Sequence, residues 1–429
     1  MIASGVVLLL FVLLAAGMPV AFALAVAGSL GLYLVGGVQT LTGVLATTPL
    51  STAATYELIS VPMFILMAEF VILSGVADNL FKAAAAWVGR VPGGLAMATA
   101  IAGAGFGAIS GSSTASAATL SSTTLPAMLK QGYDPKLAAG VVAISGTLAM
   151  LIPPSIALVL YGIIADVSIG QLLVGGVIPG ILVTLTIIAT VWVLVTLDPA
   201  CAPRGKAYTL REKLASLKVV GPMLLLFMAV TGVIYTGIAT PTEAAGIGAF
   251  GGFLLAALEG KVNRASLMKA LTHAGQASCM IIMIVVCAKI FGYFFTLTQV
   301  TQVIVQWVGA LQVSRWLVMA FILFGFLLLG CVMDQVAILI LTIPVVLPLV
   351  KSLGFDPVWF GVIVIVVAEV GLVTPPVGLN VFVVSRYANR PLQEVFAGVW
   401  PHVFSHLLLL VVLVAFPAII LWLPAQMAP

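Results

Sequence analysis

Charge is what this sequence has least of. Of its 429 residues, 7% are charged and 62% hydrophobic, whereas a soluble domain carries about 25% charged residues. That excludes a water-soluble globular protein. No polar interval is long enough for a soluble domain, the longest being 198–218. The alternating short strands of a membrane barrel are missing too. Cysteine is scarce: Cys201, Cys279, Cys287 and Cys331 show no paired metal spacing. Three of them lie in apolar runs, where packing is their simplest role. No phosphate-binding glycine loop appears, which argues against direct ATP coupling in this chain. No basic stretch precedes the first apolar run, so 6–14 reads as part of a retained span rather than a cleaved signal. The net charge of +4 is concentrated in loops, where it speaks to topology and not to nucleic acid.

What is abundant is apolar sequence. Stretches of about 20 residues, enough to cross a bilayer core, recur along the whole chain. The sequence predicts an all-α polytopic membrane protein in three parts. Residues 1–197 form a first half and 219–429 a second, joined by a basic connector at 198–218. In the first half, 41–73 is interrupted near Ser60 and Pro62. Proline lacks a backbone donor and disfavours helix in the residue before it, so this reads as a re-entrant hairpin with its tip there. The stretch 95–129 is too long for one span and too short for two, so it reads as a helix broken at Gly111-Ser112-Ser113. The next, 137–164, is broken at Pro153-Pro154. In the second half, 270–297 is a candidate second hairpin, 316–350 is broken around Asp334, and 358–384 is broken at Thr374-Pro375-Pro376. Asp78–Arg90 and Gln299–Trp307 read as interfacial helices.

The halves repeat. A shift of 222 residues puts Pro126 on Pro348, Gly132-Tyr133-Asp134-Pro135 on Gly354-Phe355-Asp356-Pro357, Pro153-Pro154 on Pro375-Pro376, and Ser112 on Asp334. Under these crossings, thirteen lysines and arginines share the connector's side. Lys82, Arg90 and Lys351 fall opposite, and Lys289 stays within the membrane. Such a bias marks the cytoplasmic face. It sets the two Asp-Pro turns on opposite faces, so the repeats are inverted, as in secondary transporters with sites near the midplane.

A helix broken in hydrocarbon frees backbone groups that must be covered. Freed carbonyls and hydroxyls suit a small hard cation, and half-helix N-termini suit an anion. Gly111, Ser112 and Ser113 supply a turn with two hydroxyls, and Asp334 supplies a carboxylate at the matching break. An intramembrane carboxylate is a functional candidate by default. Glu57, Glu69, Glu243, Glu369 and Lys289 are weaker candidates. The bland alternative is that these hydroxyls only cement helix packing. His402 and His406, spaced i, i+4, have a metal-binding spacing but no acidic third ligand nearby, and read as a polar helix face.

The runs GSSTASAA, PAMLKQGYDP and LIPPS, then GCVMD, IPVVLP, GFDPVWFGV and GLVTPPVGLNVFV, resemble the large membrane subunit of TRAP (tripartite ATP-independent periplasmic) transporters over nearly the whole chain. The resemblance implies sodium-driven uptake of a small carboxylate: a C4-dicarboxylate, sialic acid or another sugar acid. It implies an elevator mechanism in the inner membrane of a bacterium, a periplasmic substrate-binding protein and a small four-helix membrane subunit. Nothing like that subunit is fused to the N-terminus, so it is expected as a separate chain. Carried over, the sodium and substrate sites would lie at Ser60, Pro62, Gly111, Ser112, Ser113 and Asp334. Pro153, Pro154, Thr374, Pro375, Pro376 and Gly378 would complete them. Ser112, Ser113, Asp334 and Thr374 are the Na⁺ candidates, and no cofactor beyond the ion is implied. The second hairpin has no proline at its tip, so its ligands are not placed. Other readings stay open: a stand-alone ion-coupled carboxylate carrier, a passive channel, and an intramembrane hydrolase using Ser112 or Ser113, which would need a nearby base.

Overall fold

The computed structural model describes residues 2–310 and 313–427, the side chains of 76–78 excepted, and every regular element among them is helical. The first half holds α1 (Ile2–Ala15), α2 (Val20–Ala53), α3 (Ser60–Ser74), α4 (Val76–Val88), α5 (Gly94–Ser110), α6 (Ser113–Thr123), α7 (Leu125–Lys130), α8 (Pro135–Thr147), α9 (Ile156–Ala165) and α10 (Ile169–Leu197). The second holds α11 (Leu210–Tyr235), α12 (Pro241–Leu258), α13 (Arg264–Thr298), α14 (Val300–Ala310), α15 (Arg315–Gly330), α16 (Gln335–Ser352), α17 (Pro357–Gly371), α18 (Leu379–Ala388), α19 (Leu392–Ala415) and α20 (Ala418–Leu421). Eight of the described helices are long and apolar enough to cross a membrane. In hydrocarbon only the helix satisfies every backbone group within one segment.

Helix starts follow the local chemistry. Thr209 with Glu212, Thr240 with Glu243, and Asn263 with Ser266 form capping boxes that open α11, α12 and α13. The matched turns place Asp134 and Asp356 as N-caps of α8 and α17, each followed by proline at the first helical position. These two helices are the centre of the core, buried from Leu137 to Thr147 and from Val358 to Gly371.

Two hairpins re-enter from opposite faces. The amide of Leu95, at the start of α5, donates to the Tyr133 hydroxyl at 3.1 Å, just past the end of α7. Thr99 Oγ1 lies 3.8 Å from Met128 Sδ, and at the far end Ser110 Oγ lies 2.7 Å from Ser116 Oγ. The run α5–α6–α7 therefore goes in and comes back on one face. In the second half, Trp316 at the start of α15 packs edge-on against Phe355, just past α16, at 5.0 Å, and the Arg315 guanidinium lies 5.3 Å from the same ring. So α15 and α16 form the second hairpin.

The bases of the two hairpins lie on opposite faces. The first sits with the connector, where the Asp134 amide donates to the Cys201 carbonyl at 2.8 Å. From that turn α8 and α9 cross to the other face. There the Tyr161 hydroxyl donates to the carbonyl of Pro357, beside the second base, at 2.6 Å. In return α17 and α18 cross back. α19 starts where Gly398 abuts the Lys136 carbonyl and ends where Trp359 Nε1 donates to the Leu413 carbonyl at 3.3 Å. The repeats are inverted.

The hairpins lie elsewhere than the sequence predicts. Residues 41–73 are not a hairpin: α2, kinked at Gly37, runs to Ala53, and α3 is a separate crossing. Pro62 breaks nothing because it lies in the first turn of α3, where no amide donor is required. Residues 270–297 belong to α13, one continuous helix of 35 residues. The segments expected to be broken crossings, 95–129 and 316–350, are the hairpins. Each exchange swaps a crossing for a hairpin, so the side of everything downstream is unchanged. Only the residues between move. Gly205 donates to the Gly89 carbonyl at 3.1 Å and Lys213 lies over Trp87, which brings α4, and so Lys82 and Arg90, to the connector face. Arg315 goes to the other. Fourteen of the 17 lysines and arginines then share the connector face, with Arg315 and Lys351 opposite and Lys289 in the span. The helices expected at the interface over Asp78–Arg90 and Gln299–Trp307 correspond to α4 and α14, each leading into a hairpin.

Candidate functional site

Each hairpin tip docks on the break of the crossing that follows it. In the first repeat, Gly111 turns the chain with φ +56, a left-handed conformation that glycine adopts without a Cβ clash. Ser112 then N-caps α6, accepting from the Ala115 amide at 3.4 Å. In the second repeat Asp334, the residue matched to Ser112, is the N-cap of α16. The offset seen in the sequence thus pairs two caps. Ser113 and Gln335, the next residues, are both buried.

The breaks differ in how they are held. Between α8 and α9, a single 3₁₀ turn (Leu148–Met150) leads into Pro153-Pro154, whose peptide bond is cis, as is that of Pro375-Pro376. The Ser155 hydroxyl donates to the Met150 carbonyl and accepts from the Leu158 amide, closing the break and capping α9. Close approach is possible because Gly107 is bare: a Cβ there would lie 2.8 Å from Ala149 Cα. In the second repeat the amides of Val377 and Gly378 donate to the Cys331 carbonyl of the hairpin tip at 3.2 and 3.3 Å. Thr374 Oγ1 donates back to the Val370 carbonyl at 2.6 Å. Gly330 and Gly371 meet so closely that a Cβ on Gly330 would be 2.9 Å from Gly371 Cα.

The repeats then exchange partners. α6 packs on α18, and α16 packs on α9. Asn380 Nδ2 reaches the Ala143 carbonyl at 3.5 Å. Four half-helix N-termini, those of α6, α9, α16 and α18, start at tips or breaks. With the hydroxyls and loose carbonyls beside them, they offer ligands to a small cation and positive dipole ends to an anion.

The structure brings together Gly111, Ser112, Ser113, Pro153 and Pro154 in the first repeat, and Asp334, Thr374, Pro375, Pro376 and Gly378 in the second. Ser60 and Pro62 are not with them. Ser60 is buried at the start of α3, donating to the Glu57 carbonyl at 2.5 Å. It is Met67 and Val71, further along α3, that line a cavity of about 20 Å³ with Pro154. The two breaks also differ in exposure. Pro153, Pro154 and Ser155 are buried, while Asp334, Pro375 and Pro376 are exposed. Asp334 makes no ion pair among the described residues.

Three buried polar groups enlarge the site: Glu369, a weaker candidate in the sequence, and Gln335 and Asn380, which the sequence analysis does not single out. Gln335 Nε2 donates to the Ile365 carbonyl at 3.3 Å while its Oε1 has no partner among the described residues. Asn380 Oδ1 has none either. Glu369, four residues after Ile365 on α17, is fully buried with neither carboxylate oxygen hydrogen-bonded. Gln335 and Asn380 each follow a break within an apolar run, which is the signal that could have found them. Of the other weaker candidates, Glu69 lies 3.7 Å from His273, Glu243 closes a capping box, and Glu57 and Lys289 line a cavity. His402 and His406 are not a polar face: both are buried on α19, His406 Nδ1 lying 2.8 Å from the His402 carbonyl. Among the described residues no group of three His, Cys, Asp or Glu could hold a metal ion.

A helical membrane protein of this build has close relatives in sequence. The C4-dicarboxylate TRAP transporter large permease protein DctM of Pseudomonas aeruginosa is 35% identical over 381 residues, 89% of each chain. The ectoine/5-hydroxyectoine large permease protein UehC of Ruegeria pomeroyi is 30% identical over 98% of each. In fold the chain is similar to the YdaH transporter of Alcanivorax borkumensis, with a TM-score of 0.64 over 90% of each chain at 17% identity. Residues 7–419 match the family described as the tripartite ATP-independent periplasmic transporter, DctM component. With inverted hairpins docked on proline breaks and a family match over almost its full length, the chain belongs to the large permease subunits of TRAP transporters.

Proposed function

We propose that the chain is the translocating subunit of a sodium-driven importer of a small carboxylate, a C4-dicarboxylate or a sugar acid such as sialic acid. The observation that carries it is the pair of N-capped tips, Ser112 and Asp334, each seated on a proline break in opposed orientation. Ser112, Ser113, Asp334 and Thr374 supply oxygen ligands for Na⁺, and the half-helix N-termini supply the positive ends for the substrate carboxylate. The relatives are named for cargoes as different as C4-dicarboxylates and ectoine; the half-helix N-termini favour an anion, and the carboxylate class is what the family resemblance implies. The lysine and arginine bias supports a cytoplasmic connector face, and the membrane is the inner membrane of a bacterium. A periplasmic binding protein delivers the substrate, and a small membrane subunit completes the complex. The two hairpins and two broken crossings move as one elevator past the frame of α2, α3, α12 and α13.

The test is uptake into proteoliposomes holding this chain, its small subunit and the binding protein under an imposed Na⁺ gradient. Wild type should accumulate substrate only with Na⁺ and binding protein, and Asp334→Asn should lose sodium dependence or transport. Uptake indifferent to Na⁺ would overturn the cation sites. Uptake by this chain alone would favour a stand-alone carrier.

A further inference from the structure

Lys289 is the one charged residue in the apolar body of α13, nine residues and about 14 Å before the helix end at Thr298. Gly28 and Gly31 of α2 pack against Phe291 and Phe294, holding this part of α13 against its neighbour and turning Lys289 elsewhere. Its side chain is exposed and has no carboxylate within ion-pair distance among the described residues. It lines two cavities at once, of about 720 and about 380 Å³, and Ile164 of α9 lines both. The larger carries the acids Glu57 and Asp166. In the smaller, Lys289 is the only charged group among the described residues, joined by the hydroxyls of Tyr293, Thr296 and Thr301 and the amide of Gln302. The opposite wall is Pro344 and Pro348 of α16, the return arm of the second hairpin.

Each feature favours an anion. A lone cation in a cleft with low-dielectric walls focuses its field and concentrates counter-charge there. The acids across the shared boundary push an anion toward the smaller chamber, whose hydroxyls and amide then bond it. Its volume falls in the range of small-molecule sites. It opens on the face that holds the second hairpin's base, away from the basic connector. We propose that Lys289 and this chamber form a carboxylate-capture site, where substrate waits against the hairpin arm before reaching the midplane. This rests on the carboxylate import proposed above.

The experiment measures initial uptake against concentration for radiolabelled succinate, or for sialic acid where wild type takes up that instead, with the complete transporter. It compares wild type, Lys289→Gln, Lys289→Arg and Thr296→Val in vesicles of phosphatidylcholine alone and in vesicles with added phosphatidylglycerol. Lys289→Gln should raise KM about tenfold with Vmax within about twofold. Lys289→Arg should keep KM, and Thr296→Val should raise it by a smaller factor in both lipids. Unchanged KM in Lys289→Gln and Thr296→Val overturns the capture site. An effect of Lys289→Gln seen only with phosphatidylglycerol assigns the lysine to a lipid headgroup and also overturns it. No uptake by wild type overturns the carboxylate reading itself.

Discussion

The Tyr161 hydroxyl of the first repeat donates a 2.6 Å hydrogen bond to the Pro357 carbonyl at the head of the second. The two residues are 196 positions apart, and the bond ties the end of one broken crossing to the start of the other. Tyr161→Phe removes it and leaves a poorly hydrated carbonyl without its donor, a loss of about 1–3 kcal/mol. The expected result is a melting temperature in detergent lower by a few degrees, with the family fold retained by circular dichroism. An unchanged melting temperature would show that water replaces the phenol.

The first hairpin is testable by cross-linking. Thr99 and Met128 touch across α5 and α7. With the four native cysteines replaced, Thr99→Cys with Met128→Cys should form a disulfide on mild oxidation, read as a mobility shift after cleavage between the two sites. Were 95–129 a single broken crossing, the two positions would lie at opposite ends of it and no bond would form.

Ser112 and Asp334 hold the same capping place, so conservative exchange separates cap from ligand. Ser112→Ala should cost about 1 kcal/mol through loss of the cap, while Ser112→Asn should cost little. Thermal melting reads the first effect. If Ser112→Asn melts like wild type yet changes the sodium concentration for half-maximal uptake, the hydroxyl serves the ion as well as the helix.

Gly330→Ala should be among the most damaging single changes. Its Cβ would enter to 2.9 Å from Gly371 Cα, backbone against backbone, where no flexible side chain can yield. Overpacking of this kind costs about 1–3 kcal/mol. It should also part the Cys331 carbonyl from the amides of Val377 and Gly378, so transport should fall further than stability. Equal melting and equal uptake would mean the hairpin can dock at a greater distance.

Glu369→Gln tests the buried carboxylate that no described residue pairs. Removing a charge-bearing group with two unpartnered oxygens from the interior should leave stability unchanged or raise it. A fall of melting temperature comparable to that of Tyr161→Phe would show that the carboxylate has a partner, an ion or a water, in the working protein.

The breaks were legible in the sequence and the hairpins were not, for one physical reason. Prolines, Gly111 and polar residues in apolar runs mark where a helix cannot continue, and the 222-residue offset paired them correctly. But an apolar run of some 35 residues satisfies its backbone equally well as a broken crossing or as a folded-back pair. Only contacts such as Leu95 with Tyr133 decide between them, and those are made across the fold. Pro62 misled because the same ring that breaks a helix interior is welcome in a first turn. Inversion remained legible because each hairpin mistaken for a crossing was matched by a crossing mistaken for a hairpin. Lys289 was visible as a lone charge, but the cavities that give it meaning are bounded by six separate parts of the chain.

The exchange in which α6 packs on α18 has a consequence for how the protein is made. α6 reads STASAATLSST, too polar to sit alone in lipid. Its partner leaves the ribosome roughly 13–50 s later at bacterial speeds of about 5–20 residues per second. For that interval the first hairpin has its own crossing, α8, but no roof. Membrane insertion of the first half is therefore provisional, and quality control has a window in which every unfinished chain looks like a damaged one.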